Sequence, residues 1–379
     1  MQQDAAAYVP LENAIPFVER VQCSHWNDQH IVVAFSPDRV AKLAPETDDK
    51  LFWERLFVKR VLNYVLDNRI SPCLTRFIDV VQCRSDSPYG RMLWRQIAKS
   101  EMGANQRQHQ SPLFISPPNL FPKKSNAQTK SPTLLGFVVE RAAGVPMHEW
   151  AKQRHSLQQW RYVLFQLFYT FSTFNEIGLH HNDVHLENIF IDEQGWPQTI
   201  QFVTPNGSSV VLPAGREAPA VRFIDFDKAS ISRSKTLPAE WQSLLDTNPN
   251  LENALCTSYG LCNHHGKQNT KFDAFTLLCS LLHGILHYQY QIPVEVQKWI
   301  KEEAMPNGQR LYDANFEAQG GFLCRLSHHF NLTSNQQSYV PNDEEQRPTE
   351  TILQTSSLFS SLYKNSIANN AAITYKNVL

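Results

Sequence analysis

The residues best suited to chemistry lie in two short stretches of the chain. The first, His180-His181-Asn182-Asp183-Val184-His185-Leu186-Glu187-Asn188, sets a carboxylate and a carboxamide on one tight loop. The second, Val221-Arg222-Phe223-Ile224-Asp225-Phe226-Asp227, is an apolar strand pattern that ends in two acids. An aspartate on such a loop can take the proton of an attacking hydroxyl, and Asp183 suits that role. Hard oxygen ligands hold Mg²⁺ by ones and twos while phosphates complete its shell, and Asn188 with Asp225 suit that role. Together these groups would serve phosphoryl transfer, which needs positioning and charge neutralisation more than covalent help.

Such residues need elements to hold them. Phe17 to Cys23 and Ile31 to Phe35 read as strands around a polar turn at His25–Gln29, and Arg39 to Leu43 as a third short strand. A helix is expected from about Asp48 to Leu66, where Leu51, Val58, Val61, Leu62 and Val65 recur at helical spacing. Strands follow at Leu74–Cys83 and Leu134–Glu140. Between them, residues 84–133 carry six prolines and eight Lys/Arg against two acids, and read as a basic surface insertion. From Ala142 the chain turns helical. Ser156 with Gln159 is a capping-box signature, the face Trp160, Leu164, Leu167, Phe171 and Phe174 is apolar, and Gly178 ends the helix. Phe272 to Leu286 is apolar nearly all round, as a helix buried on every side should be. A last helix is expected at Thr349–Tyr363, and the final dozen residues read as a loose tail. The expected class is α+β: a strand-rich part with one helix, then a helix-rich part.

The two stretches resemble the catalytic loop, H-x-D-x-x-x-x-N, and the metal-binding D-F-G motif of protein kinases and their relatives. The resemblance covers about residues 14 to 365. It implies a bilobal kinase-like fold, with a β-rich lobe over 14–141, a helical lobe over 142–365 and a tail at 366–379. It implies ATP and Mg²⁺ (or Mn²⁺) as cofactors, Asp183 as catalytic base, and Asn188 and Asp225 as metal ligands. Val40-Ala41-Lys42 resembles the strand whose lysine contacts the α- and β-phosphates; its partner would be Glu54, on the inward face of the first helix, with Glu46 as the alternative. Leu134 to Gly144 resembles the inter-lobe hinge, so backbone groups of Glu140, Arg141 and Ala142 would bind adenine. Asp273 resembles the aspartate that fixes the catalytic-loop backbone, and Arg347-Pro348-Thr349 the late R-P-T motif.

The pattern departs from the family in instructive places. The turn Ser24-His25-Trp26-Asn27-Asp28 holds no glycine, so backbone amides could not approach phosphates in the usual way. Asn182 stands where many kinases have the arginine that anchors a phosphorylated activation segment. Activity is therefore expected without phosphorylation of Ser230, Ser232, Ser234 or Thr236. His185 stands where protein kinases have lysine; it could contact phosphate, or be a loop histidine with local hydrogen bonds only. A histidine there and Asp227 in place of the D-F-G glycine are similar to aminoglycoside and choline kinases, and Asp227 could be a further metal ligand. Asn188 and Asp225 are 37 residues apart, and Asn206-Gly207 marks an inserted hairpin within 191–220. In texture the chain resembles divergent kinases of large DNA viruses and of effectors from intracellular bacteria.

Composition bounds what else the chain could be. At 42% hydrophobic and 19% charged, with net charge −1, it reads as globular, with no general drive toward nucleic acid or anionic membrane. Seven scattered cysteines suit a reducing compartment rather than a disulfide framework. No secretory signal is read at the N-terminus, and Phe275 to Leu286 is too short to span a bilayer, which needs about 20 residues. A cytoplasmic protein is expected, delivered into a host cell if it is an effector. Cys256, Cys262, His264 and His265 fit no common zinc spacing. The expected function is a Ser/Thr protein kinase acting on a protein substrate. The alternatives are a small-molecule phosphotransferase, a non-catalytic kinase-like scaffold, or nucleotide transfer onto protein. The basic insertion could bind a phosphate-rich partner or be a solvated loop.

Overall fold

The computed structural model describes residues 8–14, 22–27, 30–36, 38–45, 49–88, 90–93, 95, 133–233, 237–252, 270–305, 347–364 and 372–376. They form a mixed α+β chain that divides into two compact units, Met1–Lys59 with Thr75–Arg141, and Arg60–Leu74 with Ala142–Leu379. Residues 60–74, which the sequence reading keeps with the first unit, thus group with the second.

The first unit is built on one six-stranded sheet. Its strands are β1 (Val9–Pro10), β2 (Gln22–Asn27), β3 (His30–Ser36), β4 (Arg39–Pro45), β5 (Phe77–Arg84) and β6 (Thr133–Glu140), in the order β1-β5-β6-β4-β3-β2. Only the β1–β5 pair is parallel. The short helix α1 (Leu11–Ala14) lays Leu11 and Ala14 into a core with Val81, Cys83, Leu134 and Val138. Helix α2 (Asp49–Phe57) buries Leu51 and Glu54 on one face and ends in a π-helical turn at Val58–Leu62.

Two expectations change here. His25, Trp26 and Asn27, expected in a turn, are strand residues paired with Val32, Ile31 and His30. A register shift between Cys23 and His25 breaks the alternation that pattern reading relies on. The insertion also begins less loosely than its composition suggests, because Leu93 is buried with Val81 and Cys83 and Met92 packs beside it. Residues 96–132 of that insertion lie outside the described residues, as do Glu46 and the cysteine–histidine segment 256–265.

The second unit is organised by two long helices. In α3 (Asn63–Asp67), Tyr64 packs edge-on against Trp241. After β7 (Val145–Pro146) and α4 (Met147–Trp150) comes α5 (Leu157–Glu176). Its N-terminus has the predicted capping box, in which Gln159 N–H donates to Ser156 Oγ and Ser156 N–H donates to Gln159 Oε1. Phe165, Phe168, Phe171 and Phe174 are buried along α5. Each such ring contributes about 1.5–3 kcal/mol of transfer free energy on burial. The loop strands β8 (Leu179–His180), β9 (Ile189–Asp192), β10 (Ile200–Val203), β11 (Ser209–Leu212), β12 (Ala220–Phe223) and β13 (Ser230–Ile231) follow. The remaining helices are α6 (Ala239–Thr247), α7 (Phe272–His287), α8 (Val294–Trp299), α9 (Thr349–Thr355) and α10 (Ser360–Lys364).

The expected hairpin is β10–β11, and Asn206-Gly207 sits in its turn, where Gly207 takes φ +80°. The expected last helix is instead two, α9 and α10, interrupted at Ser356, whose backbone is extended. The tail is also corrected: Ile373–Lys376 forms β14, which pairs in parallel with β10. No helix among the described residues is long and apolar enough to cross a membrane.

Candidate functional site

The site grows from the C-terminal end of α5. Gly178 adopts φ +70°, and a Cβ there would meet the Ser232 carbonyl oxygen at 2.5 Å, so the chain turns here only with glycine. It then enters β8, whose His180 and Leu179 pair with Ser230 and Ile231 of β13. The loop that follows is held from below by Asp273, in the first turn of α7. Its two carboxylate oxygens accept the backbone N–H groups of His181 and Asn182, each at 2.8 Å. The His181 ring bonds the Ile224 carbonyl at 3.0 Å through Nε2 and lies 4.4 Å from the Phe226 ring. Thus Asp273 and His181 join the loop to α7 and to the strand end at Ile224.

Antiparallel pairing of β9 with β12 sets Ile189 opposite Phe223. Asn188 and Ile224 therefore meet just beyond the paired ends, where Ile224 N–H donates to the Asn188 carbonyl at 3.0 Å. This pairing closes the 37-residue gap between Asn188 and Asp225. Asn188 Nδ2 donates to the Asp183 carbonyl at 3.1 Å, which leaves the carboxamide oxygen as its acceptor end. Asn182 and Asp225 both adopt the left-handed region, at φ +62° and +61°. Asn and Asp tolerate it better than other side chains do, at a cost of about 1–2 kcal/mol.

Asp183 is 3% exposed. Its Oδ2 accepts from Lys228 Nζ at 2.6 Å, and His185 Nε2 lies 3.8 Å from the same oxygen. His185 Nδ1 accepts the Glu187 N–H at 3.3 Å, so the proton of a neutral ring sits on Nε2, facing Asp183. Burial pushes the imidazole pKa below its ordinary value, against the smaller upward pull of Asp183. Asp227, half-buried, follows Asp225 in the turn that Ala229 N–H closes on the Phe226 carbonyl. Hence Asp183, His185, Asn188, Asp225 and Asp227 are gathered in the second unit. Among the described residues, no three His, Cys, Asp or Glu side chains form a metal site by themselves.

In the first unit, Lys42 of β4 and Glu54 of α2 form a buried ion pair, Nζ to Oε2 2.6 Å, with both side chains under a tenth exposed. Burying two charges is costly, and losing either partner leaves the other uncompensated. On the paired strand β6, Gly136, opposite Leu43, packs so closely that a Cβ would fall 2.1 Å from the Lys42 carbonyl oxygen. At the end of β6, Glu140 N–H donates to the Arg76 carbonyl and Arg141 N–H to the Asp38 carbonyl, both at 2.8 Å. Those two amides are engaged within the chain, which narrows any backbone recognition there to the carbonyls and the Ala142 amide.

Sequence reasoning missed Lys228, and with it the second role of Asn182. Asn182 Nδ2 donates to the Lys228 carbonyl at 3.0 Å and to Ser230 Oγ at 2.9 Å. The available signal was a lack: no Lys or Arg occurs from Gly178 to Phe190. Comparison with known proteins finds no matching family model and no curated protein of similar sequence.

Proposed function

We propose that the chain is a protein-kinase-like phosphotransferase that transfers the γ-phosphoryl group of ATP to Ser or Thr hydroxyls of a protein. One observation carries the reading. A buried aspartate, Asp183, sits on a loop whose backbone is gripped by both oxygens of Asp273, and the same loop presents Asn188 beside the strand end that bears Asp225. A loop held this way keeps a base and two oxygen ligands in fixed relation, as charge-stabilised transfer requires. The buried Lys42–Glu54 pair supports the reading independently, since it orders a lysine ammonium that could contact phosphate. The reading takes the two units as the β-rich and helical lobes of a kinase-like fold.

The donor set fits Mg²⁺, because Asn188 offers a carboxamide oxygen and Asp225 and Asp227 offer carboxylates, all hard ligands. When bound, the cation would neutralise phosphate charge. Asp183 would orient the acceptor hydroxyl and receive its proton, and Asp273 would keep that carboxylate in place.

A small-molecule acceptor is the second reading, favoured by His185 beside Asp183 and by Asp227, which follows Asp225 where protein kinases have glycine. The experiment is transfer from γ-labelled ATP with Mg²⁺ or Mn²⁺ into casein and cell lysate, beside Asp183→Ala and Asp225→Ala. Label on protein, lost in both variants, is expected. Label recovered on a metabolite instead selects the second reading. A folded chain that neither transfers label nor binds nucleotide sinks both.

A further inference from the structure

Phosphoryl transfer needs a cation at the transferred group as well as a metal, and in this chain the catalytic loop has none of permanent charge. Between Gly178 and Phe190 there is neither Lys nor Arg, and the position from which a loop lysine would act is His185. His185 Nδ1 is bonded to the Glu187 amide, and its Nε2 lies 3.8 Å from Asp183 Oδ2, beyond hydrogen-bond distance.

Lys228 is placed differently. Its Nζ lies 2.6 Å from Asp183 Oδ2, and its side chain is 14% exposed. The backbone that carries it is clamped on both sides of the residue. Asn182 Nδ2 takes the Lys228 carbonyl and Ser230 Oγ together, Ala229 N–H closes on the Phe226 carbonyl, and Ser230 pairs with His180. A surface lysine keeps its rotamer freedom, worth about 2 kcal/mol; this one is held in one place beside the base.

We infer that Lys228 provides the cationic contact to the γ-phosphoryl group that the catalytic loop lacks, with Asn182 as its positioning residue. The inference rests on the phosphotransferase reading above. It also joins two departures from the kinase pattern into one arrangement. Asparagine at 182 holds the segment from which lysine at 228 reaches the place left without a lysine at 185. In the step itself, the acceptor oxygen forms a bond to the γ-phosphorus and the bond from that phosphorus to the β,γ-bridging oxygen breaks. The bridging oxygen leaves with its electron pair on ADP. The hydroxyl proton passes to Asp183 Oδ1, since Oδ2 is held by Lys228. Lys228 stays protonated throughout and donates to a non-bridging oxygen of the moving group, where its charge counts most as negative charge shifts.

The test compares the full chain with Lys228→Met and with Lys228→Met combined with His185→Lys. The first readout is binding, by calorimetry, of ADP and of the non-hydrolysable imido analogue of ATP, each with Mg²⁺. The second is the rate of transfer from γ-labelled ATP to casein and to water. A contact confined to the γ-phosphate predicts that Lys228→Met binds ADP as the native chain does, but loses about tenfold of its preference for the triphosphate. The transfer kcat should fall about a hundredfold, and the added lysine at 185 should restore at least a tenth of the native rate. Equal weakening of both nucleotides, an unchanged triphosphate preference, or a rate that rises because the ion pair had been blocking Asp183 would each overturn the inference. A native chain that is folded but binds neither nucleotide would instead overturn the phosphotransferase reading beneath it.

Discussion

At the scale of single residues, Glu176 shows how burial sets a charge. It ends α5, and its carboxyl pKa is raised to about 7, first by burial and then by the nearby carboxylate of Glu350 in α9. Tyr169, one helical stretch earlier, is pushed up as well, by burial and by Glu176. A carboxyl whose pKa is raised on folding binds a proton more readily in the folded chain. Its contribution to stability is therefore complete below the ordinary carboxyl value near 4.5 and is lost as pH rises through about 7. Glu176→Gln removes that loss. Since the group is only half-buried, solvent screening reduces the gain to about 1 kcal/mol. Thermal melts should show the variant more stable than the native chain at pH 8 and equal to it near pH 4.5. A variant less stable at both values would show that the carboxylate makes a needed contact instead. That Asp183, Asn188, Asp225 and Asp273 would be brought together was legible because the chemistry proposed for them fixes their residue types. Lys228 was not legible, because its role depends on a turn that swings it back toward Asp183, and spacing along the chain does not reveal that.

At the scale of elements, one buried polar side chain of α5 reaches across to the hairpin insertion and the strand that follows it. Gln166, fully buried on α5, donates to the carbonyls of Tyr162 and Pro219, and its Oε1 accepts from Trp196 Nε1 and Val221 N–H. Every bonding position of the carboxamide that faces the insertion is used, and the bond to Val221 fixes the start of β12, the strand that leads to Asp225. Gln166→Leu keeps the bulk and removes the bonds, leaving the indole N–H, an amide and a carbonyl buried with lost partners. At about 1–3 kcal/mol for each such group, only partly recovered by relaxation, the expected cost is about 3 kcal/mol. Denaturant unfolding measures it, and a change under about 0.5 kcal/mol, the size of an ordinary surface substitution, would refute the account. Local signals read this region well where they are self-contained, as with the Ser156–Gln159 cap and the Asn206-Gly207 turn. They failed where the partner is distant in sequence. β14 is four residues long, and it becomes a strand by pairing with β10, more than 170 positions earlier. β2 was misplaced for a local reason, the register shift that breaks its alternation.

At the scale of the whole molecule, the question is what keeps the segment after Asp225 ordered. A kinase that is switched on by phosphorylation does so by pairing a new phosphate with arginine next to the catalytic aspartate. Under the phosphotransferase reading that place is Asn182, which carries no charge and spends its amide on the Lys228 carbonyl and Ser230 Oγ. Ser230 is fully buried in the β8–β13 pair. Ser232 is engaged as well, since its N–H and its hydroxyl both donate to the Gly178 carbonyl, at 2.6 and 3.1 Å. The backbone from Phe226 to Ser232 is therefore fixed by hydrogen bonds from neutral donors, beside the Lys228 ion pair to Asp183, and a phosphate on Ser230 would bring nearly two charges into a buried site with no arginine in the loop to meet them. Under the phosphotransferase reading, the chain should be active as synthesised. Treatment with a broad-specificity phosphatase, checked by intact mass, should leave the transfer rate within about twofold of the untreated chain, and Ser232→Ala should keep most of it. Ser234 and Thr236 lie outside the described residues, and the phosphatase treatment covers them too. Loss of activity on dephosphorylation, restored by rephosphorylation, would show that an added charge and not the Asn182 clamp orders the segment.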